Sequence, residues 1–209
     1  MADRAAAVAG VYAVTQPRAD LEAAVAAVLR GGVRVVQYRD KGEDRQRRYA
    51  EAAALRQLCE GYGALFLVND DIELAAAAAA HGVHLGREDG AVAEARQRLG
   101  AGAWIGASCY DDLARARRLV AEGADYVAFG SIYPSPTKPD SQLAPMELLT
   151  RGREATGCPT VAIGGIDAAN IGEVAAAGAD AAAVVSALFG AEDPEAAARQ
   201  LVAEWQRNR

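Results

Sequence analysis

EGADYVAFG, residues 122–130, joins a glycine that ends a helical stretch to a short, apolar, strand-like run. Glycine commonly follows the last turn of a helix, and short β-branched or aromatic runs favour strands. The same theme returns as GGVRVVQ at 31–37, HGVHLG at 81–86 and AGADAAAVV at 177–185. The repeat therefore predicts a recurring unit in which a helix leads into a buried strand.

The rest of the chain continues this alternation. Strands are predicted at residues 11–15, 33–38, 64–68, 83–85, 104–107, 126–129, 160–163 and 182–185. Helical patterns include residues 20–30, 45–60, 72–80, 112–122 and 168–177. Alternating strands and helices predict an α/β fold with a parallel sheet, and eight units in 209 residues predict a (β/α)8 TIM barrel. A doubly wound sheet is the alternative.

Residues 1–209 are predicted to form a single TIM-barrel domain, because no long stretch is rich in Pro, Gly or Ser and no block of charge resembles a tail. In this fold the functional residues lie at the C-terminal ends of the strands and in the loops that follow them. Polar residues at the N-terminal ends of the strands are expected to matter for stability alone.

Charge and composition exclude several classes of partner. A net charge of -6 and a pI near 5.0 argue against a nucleic-acid surface, although local sites for small anions remain compatible. The alanine run at 75–80 is too short for a membrane span, and the first residues do not resemble a secretory signal. We interpret Cys59, Cys109 and Cys158 as reduced structural thiols of a cytoplasmic protein.

The loop after the sixth strand is predicted to hold an anion. Its prolines restrict the backbone, which lowers the entropy cost of presenting Ser135, Thr137 and Lys138 to one target. A proline-rich surface connection is the alternative for a loop of this composition.

The end of the second strand carries an amide and two cations. Alternation along the strand places Gln37 and Arg39 on one face, with Lys41 close by. Arg39 can hold a phosphate with two hydrogen bonds, and Lys41 adds a compact charge. The alternative is a solvated turn in which Asp40 pairs with Lys41.

Carboxylates follow the third and fourth strands. We predict that Asp70 and Asp89 bind Mg²⁺, which takes carboxylate oxygens and leaves positions for water and substrate phosphate. Asp70 or Asp71 could instead cap the helix that begins at Ile72. His84 is interpreted as a partly buried barrel residue.

The remaining strand ends carry phosphate-binding signals. Ser108, after the fifth strand, can donate to a phosphate oxygen, but no base or activating partner suggests a Ser108 or Cys109 nucleophile. Gly164 and Gly165 after the seventh strand, and the loop after the eighth, predict the phosphate site common in this fold. Two anion sites imply two substrates, and cations with a metal suit a reaction that releases diphosphate.

Six motifs together resemble the thiamine-phosphate synthase family along nearly the whole chain. They are VQYRDKG at 36–42, LVNDD at 67–71, GVHLGRED at 82–89, YVAFGSIYPSPTK at 126–138, AIGGI at 162–166 and VVSALF at 184–189. The resemblance implies a transferase of thiamine biosynthesis. It would join 4-amino-2-methyl-5-hydroxymethylpyrimidine diphosphate to 4-methyl-5-(2-hydroxyethyl)thiazole phosphate, giving thiamine phosphate and diphosphate.

The same resemblance implies a role for each matching residue. The pyrimidine diphosphate would be surrounded by Gln37, Tyr38, Arg39, Asp40, Lys41, Asn69, Ser108 and Lys138, of which Arg39, Lys41, Ser108 and Lys138 would be catalytic. Mg²⁺ would be held by Asp70 and Asp89. The thiazole phosphate would be bound by Ser135, Pro136, Thr137, Gly165, Val185 and Ser186. The implied mechanism is dissociative, with diphosphate leaving before the thiazole nitrogen attacks.

Some positions depart from the family pattern, and three other functions remain as alternatives. Asp40 stands where Glu is common, Pro136 interrupts a loop usually richer in hydroxyls, and Cys109-Tyr110 replaces a Ser-x-His type of ending. A thiazole tautomerase of the same superfamily is one alternative, but it is associated with a His where this chain has Ser131. A non-catalytic regulator that binds a phosphate ligand is another, and a Schiff-base aldolase is a third. A homo-oligomer is compatible with the sequence.

Overall fold

The computed structural model describes residues 7–86, 92–134 and 142–209. Eight parallel strands form a closed barrel in sequence order. Their bounds are β1 Gly10–Val14, β2 Val35–Tyr38, β3 Leu65–Asn69, β4 Gly82–Leu85, β5 Trp104–Tyr110, β6 Tyr126–Phe129, β7 Thr160–Ile163 and β8 Ala181–Val184.

Helices surround the barrel; α1 to α7 connect successive strands, and α8 and α9 follow the last strand. Their bounds are α1 Leu21–Arg30, α2 Arg45–Gly61, α3 Ile72–Ala77, α4 Val92–Leu99, α5 Leu113–Ala121, α6 Leu148–Thr156, α7 Ile171–Ala176, α8 Ser186–Phe189 and α9 Pro194–Arg207. Aspartates at several helix starts accept a hydrogen bond from a backbone N–H of the first turn, as Asp193 does before α9.

The first and last strands pair with each other, which confirms the barrel and excludes the doubly wound alternative. Tyr12 lies beside Ala183 of β8 on one side and beside Val35 of β2 on the other. In an open doubly wound sheet, the two edge strands would not pair with each other.

Alternation along the strands produces two apolar layers. Inside the barrel, Val14, Val35, Leu67 and Val161 pack together with small alanines of β8. The opposite faces of the strands pack against the helices in a larger core that includes Val36. Side chains therefore fill the barrel interior. Most of them are apolar, and the few polar side chains there need hydrogen-bond partners.

Two aspartates at the N-terminal ends of strands tie neighbouring units together. Asp125, before β6, accepts hydrogen bonds from the Ile105 N–H at 2.8 Å and from Arg96 at 2.6 Å. Asp180, before β8, accepts from the Thr160 N–H at 2.9 Å and also pairs with Arg153. Both lie at the end of the barrel away from the large cavity described below, so their contacts are structural.

The structure shifts the ends of most predicted elements by one to three residues. β5 extends to Tyr110 rather than residue 107, and its pairing with β6 shifts between Ser108 and Tyr110. α3 ends at Ala77, three residues earlier than predicted. β8 ends at Val184, and α8, a short helix that the sequence did not predict, begins at Ser186.

Cys59 and Cys109 are buried free thiols, and Cys158 is a half-buried one. Burial raises the pKa of Cys59 and of Cys109 to about 12, so neither is a thiolate near neutral pH. In the described part of the chain, every helix is too short or too polar to cross a membrane.

Candidate active site

A cavity of about 1090 Å³ opens at the carboxyl ends of the strands. Residues from the ends of several strands line it, with polar side chains from β2 to β5 on one side and glycines after β7 on the other. Its floor is the apolar interior of the barrel, represented by Ala128, Val161 and Ala183. The volume is at the upper end of the range common for small-molecule sites, and it suits two ring compounds.

Asp70 links the loops after three successive strands. Its carboxylate lies 3.3 Å from the Lys41 ammonium, and it accepts hydrogen bonds from the Asn69 amide at 2.5 Å and the Gly86 N–H at 3.1 Å. The backbone of Asp70 is left-handed, with φ of 65°. A non-glycine residue in this region costs free energy, and such residues are frequent at functional sites.

The neighbouring Asp71 is the N-cap of α3. Its side chain accepts a hydrogen bond from the Leu74 N–H at 2.8 Å and pairs with Arg48 at 2.9 Å. The cap predicted for one of these two aspartates is therefore confirmed at Asp71. This leaves the Asp70 carboxylate facing the cavity.

Arg39 and Gln37 both line the cavity, as the alternation along β2 predicted. The Arg39 backbone N–H is fixed by the Thr15 hydroxyl at 2.9 Å. Within the described residues, no carboxylate pairs with the Arg39 guanidinium, which remains available to an anion.

Tyr38 and Asp40 are held outside the cavity lining. Tyr38 points toward the helices, where its hydroxyl donates to Glu51 at 2.6 Å. Asp40 is buried, pairs with Arg47 at 2.7 Å and accepts from the Gly42 N–H at 2.6 Å. The alternative pairing of Asp40 with Lys41 was wrong, since Lys41 pairs with Asp70 instead.

Ser108 lines the cavity near the end of β5, and its hydroxyl lies 3.0 Å from Nε2 of His84. His84 is only 7% exposed, so the interpretation of a barrel residue is confirmed. Burial lowers the pKa of His84 to about 4, which keeps the imidazole neutral near pH 7. A neutral imidazole beside a hydroxyl does not by itself make Ser108 a nucleophile.

The opposite side of the cavity is built from glycine backbone. Gly164 and Gly165 have φ of 105° and 62°, conformations that favour glycine. A side chain at Gly165 would lie 2.5 Å from the Pro134 carbonyl oxygen. Val185 and Ser186 also line this side, where β8 gives way to α8.

Five predicted site residues, Asp89, Ser135, Pro136, Thr137 and Lys138, lie outside the described residues. Their roles remain predictions. Among the residues that the structure does describe, no group of three or more His, Cys, Asp or Glu side chains could hold a metal ion.

Sequence reasoning missed two tyrosines in the barrel interior. Tyr12 and Tyr126 are 1% and 0% exposed, and their hydroxyls lie 3.0 Å apart. Tyr12 lines the cavity floor, and both belong to a hydrogen-bonded chain that includes His84. The sequence did contain a signal for them. Each is a large residue with a polar hydroxyl in a strand otherwise made of apolar residues.

The chain that forms this cavity is similar to known proteins over nearly its whole length. A family model described as Thiamine monophosphate synthase matches residues 11–188. The chain belongs to this family. The match spans every strand after the first residue of β1 and includes both sides of the cavity.

Individual relatives agree with the assignment. The chain is 83% identical over 201 residues to a thiamine-phosphate synthase of Halorhodospira halophila, with 96% of each chain covered. It is 54% identical to the enzyme of that name from Thioalkalivibrio sulfidiphilus, covering 94% of this chain and 95% of the relative. A solved structure, the thiamine phosphate pyrophosphorylase of Pyrococcus furiosus, is 34% identical with a TM-score of 0.87, covering 98% of both chains.

Proposed function

We propose that the cavity joins the pyrimidine diphosphate and the thiazole phosphate to form thiamine phosphate, with release of diphosphate. The family assignment makes the chain an enzyme of thiamine biosynthesis, a transferase. The observation that carries the proposal is a single cavity with cationic side chains on one side and glycine backbone on the other. Two anionic substrates could bind there with their reacting ends facing each other.

The diphosphate would bind on the side of β2, β3 and β5. Arg39 can hold two phosphate oxygens with its planar guanidinium, and Lys41 adds a second positive charge. Asn69 and Ser108 supply neutral donors, and Lys138 is assigned to this group by the family motif alone. Cations placed where charge develops stabilise the departing diphosphate.

The thiazole phosphate would bind on the opposite side. Left-handed glycines let the backbone approach an anion closely, and Gly165 lies against the loop that carries Tyr133 and Pro134. Val185 and Ser186 complete this side. By the family motif, Ser135, Pro136 and Thr137 would bind the same phosphate.

Asp70 fits a magnesium site. Mg²⁺ is commonly bound by one or two carboxylates together with substrate phosphates, and the Asp70 carboxylate faces the cavity beside Lys41. Asp89 would be the second carboxylate. When bound, Mg²⁺ would neutralise part of the diphosphate charge.

Among the residues that the structure describes, no side chain at this site is suited to covalent catalysis, which agrees with a dissociative reaction. Cys109 is buried with a raised pKa, and the Lys41 side chain is 61% exposed, so it is not desolvated as a Schiff-base lysine would be. The residues bind both substrates, hold their rings together and keep water from the cation formed when diphosphate leaves. The apolar floor contributes to this exclusion.

The decisive experiment mixes purified protein with both substrates and Mg²⁺ and measures thiamine phosphate by chromatography. We expect product and stoichiometric diphosphate, with neither formed when one substrate is omitted. A folded protein that binds both substrates without forming product would contradict the proposal and favour a ligand-binding regulator. Isomerisation of a thiazole precursor instead would favour the tautomerase.

We also propose that the protein works in the cytoplasm on small-molecule substrates, and a homo-oligomer remains compatible with this. The reduced thiols Cys59, Cys109 and Cys158 support a reducing compartment. The acidic net charge supports the absence of a nucleic-acid partner.

A further inference from the structure

A chain of buried hydrogen bonds crosses the barrel interior beneath the cavity. The Gln37 amide N–H donates to the Tyr12 hydroxyl at 2.7 Å, which lies 3.0 Å from the Tyr126 hydroxyl. Tyr126 in turn lies 3.0 Å from Nδ1 of His84. His84 Nε2 completes the chain at 3.0 Å from the Ser108 hydroxyl.

The two ends of this chain are polar groups that face the cavity from two different strands. Gln37 lies on β2 and Ser108 on β5, with two strands between them. Tyr126, in the middle, is fully buried and does not line the cavity. Any effect of Tyr126 on a substrate must therefore pass through its neighbours.

The fold makes room for this arrangement at a specific glycine. A side chain at Gly106 of β5 would overlap the ring of Tyr126. The Tyr126 ring also stacks on His84, with ring centroids 5.6 Å apart, and meets Tyr12 edge to face at 6.3 Å. Packing therefore holds these rings in place together with the hydrogen bonds.

The hydrogen bonds of this chain can run in either of two directions, and the donation from Gln37 to Tyr12 favours one of them. Because Gln37 donates to the Tyr12 oxygen, the single Tyr12 proton is available to Tyr126, and the Tyr126 proton to Nδ1 of His84. With the protons placed this way, a neutral imidazole would carry its proton on Nε2 and donate it to Ser108. The Ser108 hydroxyl would accept this bond, which would leave its own proton free to point into the cavity.

Tyr12, Tyr126 and His84 are all neutral near pH 7. The two possible directions of the hydrogen-bonded chain therefore differ only in where the protons lie. Burial raises the pKa of Tyr12 to about 12 and that of Tyr126 well above its ordinary value, and it lowers the pKa of His84 to about 4. The opposite direction would place the Ser108 lone pairs toward the cavity, where they would repel an anion.

We propose that Tyr12, Tyr126 and His84 are positioning residues that hold Gln37 in place and keep Ser108 as a hydrogen-bond donor toward the pyrimidine diphosphate. This inference rests on the proposed function for the identity of the ligand. It assigns a role to three residues whose polar groups would otherwise do no more than satisfy one another inside the barrel.

The first test is the substitution Tyr126→Phe, which removes one hydroxyl and keeps the ring. We expect kcat/KM for the pyrimidine diphosphate to fall about tenfold, as for a lost buried hydrogen bond, with KM for the thiazole phosphate unchanged. Tyr49→Phe, at an exposed position of α2, is the matched control. Wild-type kinetics in a Tyr126→Phe protein of lower stability would overturn the proposal, because the chain would then be structural alone.

A second pair of variants tests the His84 contact if Tyr126→Phe does not fold. The Gln amide can reach the position of Nε2, and the shorter Asn amide the position of Nδ1. We expect His84→Gln to retain more kcat/KM than His84→Asn, because it can still donate to Ser108. Equal activities, or the reverse order, would contradict the assigned direction.

Nitrogen NMR of the wild-type protein tests the direction without any assay. The chain has two histidines, so a His81→Gln variant assigns the signals. We expect His84 to be protonated on Nε2, as His81 must be because its Nδ1 accepts the Phe66 N–H. Protonation of His84 on Nδ1 would overturn this proposal and leave the proposed function intact, whereas wild-type protein without synthase activity would overturn the function itself.

Discussion

At the scale of single residues, Asp70 combines an unusual backbone conformation with a carboxylate that faces the cavity. Its φ of 65° is unfavourable for a non-glycine residue, and its carboxylate collects contacts from Lys41, Asn69 and the Gly86 N–H. Asp and Asn tolerate this backbone region better than most residues. The conformation turns the carboxylate into the cavity, while Asp71 takes the capping role.

We predict that Asp70→Asn lowers kcat/KM for the pyrimidine diphosphate by at least about 100-fold, a loss typical of removing one group that stabilises developing charge. The amide keeps the size and the backbone preference of Asp70 but loses the negative charge, so more Mg²⁺ should be needed for half-maximal activity. Steady-state kinetics over a Mg²⁺ titration measures both effects.

Asp71→Asn is the control for this prediction, since Asn is an equally good N-cap and Asp71 does not line the cavity. It should leave the kinetics close to wild type. Equal losses in the two variants would show that Asp70 acts through the fold and not through a metal.

At the scale of elements, Asp40 joins the end of β2 to the first turns of α2. Its buried carboxylate contacts Arg47 of that helix and the N–H of Gly42. Burial alone would raise the pKa of Asp40, but these two contacts outweigh it, so the pKa lies below its ordinary value of 3.8. The structure thus gives Asp40 a stabilising role that its place in the motif did not indicate.

We predict that Asp40→Asn lowers the free energy of unfolding near pH 7 by about 1.5–3 kcal/mol, the range for a hydrogen bond to a charged group. A depressed pKa in the folded state contributes stability that is complete above the unfolded pKa and is lost as pH falls through the folded pKa. The difference between wild type and variant should therefore shrink below about pH 3.8. Urea unfolding at a series of pH values measures it.

Asp44→Asn provides the comparison, because Asp44 caps the same helix and Asn replaces it well. Its effect should be small throughout the series. A loss for Asp40→Asn that stays constant down to pH 3 would argue against the ionised carboxylate as the cause.

At the scale of the whole molecule, the barrel places the two proposed anion sites on opposite sides of one cavity. Arg39 follows β2, and Gly165 follows β7, so the chain between them contains most of the fold. Closure of the barrel through β1 and β8 brings the two regions together. Their separation should allow each site to be weakened without the other.

We predict reciprocal effects on the two substrates. Arg39→Gln should raise KM for the pyrimidine diphosphate about 10-fold to 100-fold, because a charge-assisted hydrogen bond is lost, and should leave KM for the thiazole phosphate nearly unchanged. Gly165→Ala should raise KM for the thiazole phosphate and leave KM for the pyrimidine diphosphate nearly unchanged. The added methyl group meets the Pro134 carbonyl oxygen, and the φ of 62° at this position disfavours alanine. Initial rates with each substrate varied in turn provide the measurement.

Gly157→Ala is the control for backbone strain. Gly157 has φ of 70°, but an added methyl group would meet no atom within 4 Å, and the residue is at the end of α6. It should lower the melting temperature without changing either KM. Loss of affinity for both substrates in Gly165→Ala would contradict two separable sites.

The sequence by itself determined the eight-unit barrel, because glycine stops and apolar runs recur locally along the chain. It also predicted that Gln37, Arg39 and Ser108 face one cavity, since strand alternation and strand ends are local properties. Only the tertiary structure decided that Lys41 pairs with Asp70 and Asp40 with Arg47, because these choices depend on which loops closure brings together. The buried chain through Tyr12, Tyr126 and His84 was decided in the same way. Its members are far apart in sequence, and they meet because inward positions of a closed barrel share one small volume.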